Sequence, residues 1–337
     1  MDDLPGEVRT RLWRDGVLVA DDFSLDEVSE HLADDRALVW VDLHDPGHDQ
    51  LSALATELTL DAHAVEDAIA RGERTKTTHY PTHTFLTVYA TELERDSDAL
   101  STVESRLHTT RVSAFVLPRG IVTVRRGGQF DIDEVVRRWD EHSDLLQFGT
   151  GALLHGLLDV IVDGQFDTIQ ALDDAIEGIE DGLFGDTPMT RETQHRIYRL
   201  RKELVQLRRI VLPMREVVTA VMRHRAETGN HAELDGWYTD LYDHVIRATE
   251  WTESLRDMVT TLFETNLSLQ DARLNTVMKK LTGWAAIIAV PTAVTGWYGM
   301  NVPYPGFGHG WGVLVSACVI AGSAGLLYLL FKRRDWL

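Results

Sequence analysis

From Leu281 through Phe331 the chain runs for 51 residues without an Asp, Glu, Lys or Arg. Charged residues are dense everywhere before it, so this is the sharpest composition boundary in the 337 residues. Within it, LTGWAAIIAVPTAVTGWY (281–298) and WGVLVSACVIAGSAGLLYLLF (311–331) each come close to the roughly 20 residues that cross about 30 Å of hydrocarbon as helix. The pattern predicts two spans joined by a short loop. Lys279 and Lys280 precede the first span, and Lys332, Arg333 and Arg334 follow the second. The excess of positive charge on cytoplasmic flanks therefore puts both ends inside and the loop outside. Trp284, Trp297, Tyr298, Trp311 and Trp336 fall near the expected interfaces, where amphipathic rings are favoured.

The rest of the chain reads as two further regions. Up to about residue 145, TRLWRDGVLVA (10–20), ALVWVDL (37–43), HTFLTVYA (83–90) and RVSAFVLPRGIVTVRR (111–126) have the Val, Ile, Thr and aromatic content of strands, with Pro118-Arg119-Gly120 as a hairpin turn. DEVSEHLADD, HDQLSALATELTL and DEVVRRWDEH carry the helical period. The expected fold class is α+β, with an N-terminal α/β/α domain over 1–148. From Gly149 the strand signals vanish. Amphipathic tracts at 152–184, 190–226 and 234–280 predict long helices, a stalk over 149–278, with the last running straight into the membrane hairpin at 279–337.

Composition excludes several function classes. A net charge of −20 leaves no clustered Lys and Arg for phosphate backbones, so nucleic acid is not an expected partner. The single Cys318 has no partner for an intrachain disulfide and suits a reducing compartment. MDDLPGEVRT has neither the basic and apolar pattern of a secretory signal nor an Arg- and Ser-rich leader, which predicts a bacterial or archaeal plasma membrane. No GxxxxGK[ST] loop, HExxH or nucleophile triad spacing is present, so no enzymatic activity and no cofactor are expected.

NTVMKKLTGWAAIIAVPTAVTGWYGMN, a short loop, a second span and the basic FKRRDWL ending together resemble the CorA family of divalent-cation channels and transporters. VWVDLHDP (39–46), AVEDAIARGERTK (64–76), LDVIVDGQF (158–166) and DLYDHV (240–245) resemble that family's cytoplasmic segments, in the same order. The resemblance implies a funnel-shaped homopentamer in a lipid bilayer, with long stalk helices and the first span of each copy lining the pore. It also implies that cytosolic Mg2+ bound between copies closes the channel. The positions matching that regulatory site are Glu66, Asp67, Asp240 and Glu264, and Asp159 and Asp163 share a helical face that adds charge.

Ion chemistry can be read from the residues at the outer end. Mg2+ dehydrates reluctantly, so a path that accepts the hydrated ion avoids a large desolvation cost. A ring of Asn301 carbonyls can bind the ion's waters weakly enough to release it, whereas carboxylates hold it harder. Gly299 lets backbone carbonyls approach the mouth, and Met300 packs as scaffold. Stepping back by threes and fours, Gly299, Gly296, Thr292, Ala289, Ala285, Leu281, Met278 and Asn275 share one face, small or polar outside and bulkier inside. Pro291 bends this span and frees a carbonyl. The loop VPYPGFGHG lacks the acidic residue of many relatives and carries His309, a ligand for softer metals. The expected function is Mg2+ uptake down the electrochemical gradient, with Co2+ and Ni2+ as further ions. The alternatives are Zn2+ transport of the ZntB type and a membrane-anchored metal sensor without a pore.

Overall fold

The computed structural model describes residues 7–70, 72–94, 106–128, 130–183, 191–229, 232–301, 303–334 and 336. Residues 1–6 of the stretch read as lacking a signal, and position 71 within the 64–76 segment, lie outside these. The chain divides into two compact units, Met1–Thr260 and Thr261–Leu337.

The first unit is built on one seven-stranded sheet in the order β2-β1-β3-β7-β6-β5-β4. Its strands are β1 (Glu7–Arg14), β2 (Val17–Asp21), β3 (Ala37–His44), β4 (Lys76–His79), β5 (Thr84–Leu93), β6 (Leu107–Leu117) and β7 (Gly120–Arg126). Only β3 and β7 pair in parallel; the other neighbours are antiparallel. The two tight hairpins follow from local chemistry. Asp15 and Gly16 both take positive φ, 49° and 80°, the left-handed pair that a twisted two-residue turn between β1 and β2 needs. At the other, Leu117 pairs with Gly120, leaving Pro118 and Arg119 as the turn. A Cβ at Gly120 would lie 2.8 Å from the Val39 carbonyl, so that position admits only glycine without movement.

Strand β3 is the central run ALVWVDL, buried along all but its last residue, as expected of a strand covered on both faces. One face is covered by α1 (Val28–Leu32), α2 (His48–Glu57) and α3 (Ala62–Ile69), with Val28, Leu51, Leu54, Ala64 and Ala68 packed against Val39, Val41, Phe85, Phe115 and Val122. Asp61 caps α3 by accepting from the His63 N–H at 2.9 Å. The other face is covered by α4 (Ile132–Glu141), α5 (Thr150–Leu183), α6 (Arg191–Thr228) and the start of α7 (Asp235–Tyr298). Trp139 of α4 sits edge-on to Trp13 and Trp40 at 6.0 and 5.0 Å between ring centres. The unit is thus a three-layer α/β/α arrangement followed by long helices, as the sequence pattern predicts. Strand β4, KTTH, has no apolar alternation to betray it.

Under the second layer lies an ion pair that the sheet cannot leave incomplete. Arg125 donates through Nε and Nη2 to one Asp42 oxygen at 2.9 and 2.7 Å, Thr123 donates to the other at 2.6 Å, and Trp40 Nε1 donates to Thr123 at 3.1 Å. Asp42 is 0% exposed and Arg125 5%. A charge this deep is stable only while its partner remains.

In the second unit, the remainder of α7 ends at Tyr298, and α8 (Gly310–Arg333) follows after a loop. Both helices are long and apolar enough to cross a membrane, and their apolar windows are 6% and 0% buried. The loop closes on itself through aromatic edges, Tyr298 to Tyr304 at 4.9 Å and Tyr304 to Phe307 at 5.3 Å.

Asp42→Ala should cost about 3–5 kcal/mol, because it strands the Arg125 guanidinium in the core. Urea unfolding followed by tryptophan emission reads this, and the pair Asp42→Leu with Arg125→Met should recover most of the loss.

Candidate metal path and carboxylate sites

At the end of α7 the backbone pattern tightens before it stops. The Gly299 N–H donates to the Thr295 carbonyl at 2.9 Å, and the Met300 N–H reaches back only three residues, to Trp297, at 3.3 Å. Asn301 follows directly and is exposed, as are Gly299 and Met300. A Cβ on Gly299 would come within 3.0 Å of the Thr295 carbonyl, so the turn is too close for a larger residue without a shift. The helix carbonyls at this end carry a partial negative charge, and the Asn301 amide adds a neutral oxygen beside them. Such an end can attract a hydrated cation without stripping it.

Along the same helix Thr292 and Asn275 are exposed, and so are Gly296, Ala289 and Ala285. Leu281 is 62% and Met278 56% exposed, part of an apolar stretch that continues through the span. The Thr292 hydroxyl donates to the Ile288 carbonyl at 3.0 Å, and Thr295 to Pro291 at 2.9 Å, next to the proline that has no N–H to give. His309 Nδ1 stands 3.1 Å from the Phe307 carbonyl. It belongs to no cluster of three ligating side chains among the described residues.

The carboxylates of the first unit are dispersed within one chain. Glu66 and Asp67 ride on α3; Glu66 is exposed, while Asp67 accepts from Lys76 Nζ at 2.7 Å. Glu73 accepts from the same ammonium at 2.8 Å. Burial pulls that ammonium's pKa down, but the two carboxylates outweigh burial and hold it above its ordinary value. Asp240 is exposed on α7, with one oxygen 3.9 Å from His244 Nε2. Glu264 lies in the second unit and is also exposed. Among the described residues of this unit no hydrogen bond or ion pair joins Glu66 or Asp67 to Asp240.

A different trio does meet. Asp159 and Asp163 on α5 and His244 on α7 each offer a ligand atom, all within 4.8 Å of one another. Arg138 of α4 donates to both carboxylates, to Asp163 at 2.8 Å, so the charge expected from this face is largely met inside the chain. Asp163 is half-exposed and Asp159 mostly covered. One turn earlier on α5, His155 is buried, its Nε2–H donating to the Trp237 carbonyl at 3.2 Å. Burial drives its pKa down from the ordinary histidine value to about 4.

The sequence model of the CorA-like Mg2+ transporter protein family matches residues 35–333. The chain belongs to this family. The cobalt/magnesium transport protein CorA of Thermotoga maritima is 34% identical over 186 residues, a match that spans 55% of this chain and about half, 52%, of that relative. CorA of Methanocaldococcus jannaschii, also a cobalt/magnesium transport protein, is 24% identical over 96% of this chain and 98% of its own length. The complete structure of the CorA magnesium transporter from M. jannaschii matches with a TM-score of 0.76 at 20% identity, covering 100% of both chains. Full-length CmaX matches with a TM-score of 0.66 at 17% identity over 98% of each chain. At these identities the structural likeness speaks for the fold, which is that of CorA: a mixed α/β domain, long helices and two C-terminal apolar helices. CorA proteins are membrane transporters of divalent cations, not enzymes.

Two members of the cluster around Asp159 and Asp163, Arg138 and His244, were not singled out by the sequence. His244 lies four residues after Asp240 in DLYDHV, so its helical face was open to inspection. Arg138 gave no signal, because its partners lie 21 and 25 residues further on.

Two outcomes follow. Arg138→Ala should lower stability by about 1–3 kcal/mol by leaving two carboxylates to repel each other, and millimolar Mg2+ should restore part of it in thermal melts. For His155, the unfolded state binds the proton and the fold does not between pH about 6.5 and about 4, so stability should fall on acidification through that window, by up to about 3 kcal/mol. His155→Gln should flatten that dependence in urea titrations at a series of pH values.

Proposed function

We propose that this chain is a Mg2+ channel, passing Co2+ and Ni2+ as well, assembled from five copies and closed by Mg2+ on the cytosolic side. The observation that carries the reading is the placement of Asn301. A neutral oxygen donor follows immediately on the end of an apolar helix whose small and polar face finds no cover within its own chain. One two-helix hairpin cannot enclose a water-filled path, because its backbone and polar side chains would meet lipid; a ring of copies can. Five Asn301 carbonyls and helix ends then converge on the axis and bind the ion through its water shell, weakly enough for release. Thr292 and Asn275 continue the polar lining, Gly299 and Met300 set the turn, and the Leu281 and Met278 rings form the inner apolar constriction. Inward movement is driven by the membrane potential, about 2.3 kcal/mol per charge per 100 mV.

In this reading the chain works as three parts, a metal-sensing domain (1–148), a helical stalk (149–278) and a membrane hairpin (279–337), with both termini in the cytosol. The sensor is completed between copies, where Glu66 and Asp67 of one meet Asp240 and Glu264 of another. The support is chemical: hard oxygen ligands suit Mg2+, and Glu66, Asp240 and Glu264 are exposed, while Asp67 shares Lys76 with Glu73. Affinity for such a site is low and releasable, as sensing of millimolar ion requires.

Uptake of Mg2+ into liposomes holding the purified chain tests the reading. Asn301→Ala should reduce the initial rate by about tenfold or more, a loss of about 1.4 kcal/mol in ion stabilisation at the mouth. Equal rates in the two proteins would sink the role of Asn301. Zn2+ should compete poorly with Mg2+ in the same vesicles; preferential Zn2+ flux would replace the magnesium reading with a zinc one.

A further inference from the structure

Arg111 on β6 and Arg126 on β7 stand directly opposite each other in the strand register. Like charges in this relation destabilise a sheet. In a chain of net charge −20 the natural remedy is a carboxylate, yet among the described residues neither guanidinium has one as an ion-pair partner. Both donate to backbone carbonyls instead: Arg111 to Ala68 and Ala70, Arg126 to Ile69 and Pro46. Each guanidinium offers five N–H donors and spends two this way. Arg111 is 6% exposed, and its Nε–H, shut off from water, finds no acceptor. Burial holds its pKa below the ordinary arginine value; Tyr89, Glu73 and Asp67 oppose this, and the Arg126 charge adds to it.

The nearby acids are already engaged. Asp67 and Glu73 hold Lys76 at 2.7 and 2.8 Å. Asp45 accepts from the Gly127 N–H at 3.3 Å, and its second oxygen is 3.6 Å from His44 Nε2. What remains beside the two arginines is an open cleft of about 520 Å3, lined also by Tyr89, Thr109, Asp45 and Gly127.

We propose that this cleft binds a phosphate-bearing anion between Arg111 and Arg126. Each η nitrogen keeps one N–H beyond its carbonyl bond, and such paired N–H groups match the oxygens of a tetrahedral oxyanion. Two such cations balance a phosphate dianion, whereas a carboxylate would leave one of them unmatched. The volume lies in the range of small-molecule sites and exceeds what a lone phosphate fills, which favours a phosphate ester with an organic part against Tyr89. Because the same guanidiniums hold the three carbonyls at the end of α3, an occupant would bear directly on the helix that carries Glu66 and Asp67. The anion site itself does not depend on how those carboxylates act.

The test uses the full chain in detergent, with EDTA to remove divalent ions, titrated calorimetrically with inorganic phosphate, with AMP and with acetate. AMP should bind, phosphate more weakly, and acetate not measurably; Arg126→Gln should weaken AMP binding by about tenfold or more, the worth of a charge-assisted contact. Binding of phosphate but not AMP would keep the anion site and assign it to the free ion. Should Arg126→Gln not fold, hydrogen exchange of the unaltered chain with and without AMP replaces it, with protection expected at residues 66–70, 109–111 and 126–128. No binding of either phosphate compound, unchanged affinity in Arg126→Gln, or protection elsewhere would leave the two arginines as caps of α3 and overturn the proposal.

Discussion

Hydrocarbon offers a peptide group nothing to bond with, and that constraint orders most of this chain. It requires the stretch from Leu281 to Phe331 to be helical where it crosses and to shed every formal charge. It forces the irregular backbone, Gly299 through His309, to the end where water returns. In the proposed channel it also makes a single copy insufficient, since polar lining residues must face something other than lipid. The proposed transport function rests on this sequence of necessities more than on any single side chain. Asn301 matters because it is the first amide after the helix has run out of bonds to make.

The first unit obeys a different economy, that of charge in a chain with 53 acids and 33 bases. Acids outnumber bases, and several of the basic residues there hold carboxylates. Arg125 closes a buried pair with Asp42, Arg138 restrains Asp159 and Asp163, and Lys76 holds Asp67 with Glu73. Arg111 and Arg126 stand apart because they hold carbonyls alone. In a protein with this excess of acids, two arginines opposite each other without a carboxylate partner are where the proposed anion would sit.

Periodicity and punctuation made the architecture legible. The apolar run of β3, the Pro118-Arg119 turn and the three long amphipathic tracts all appear where pattern placed them, because each is dictated by residues close in sequence. Strand β4 escaped, since Lys76–His79 is held by pairing with β5 rather than by its own composition. The site was legible in part. Gly299-Met300-Asn301 announces itself by interrupting an apolar span, but contacts such as Arg138 to Asp163 join residues 25 apart through the packing of two helices, and no local pattern encodes that. Glu66, Asp67, Asp240 and Glu264 were named by family likeness, and no local pattern marks them as one group.

The loop between α7 and α8 is tightly packed at one pair of glycines. Gly306 and Gly312 approach so closely that a methyl on Gly312 would fall 2.6 Å from the Gly306 oxygen, while one on Gly310 would meet nothing. Steric volume, not bonding, therefore sorts the permissible residues in this connection: two positions are locked to hydrogen, and their neighbour is free. A fluorophore or cysteine label intended to report on this loop belongs at 310, where it can sit without prying the turn from the head of α8.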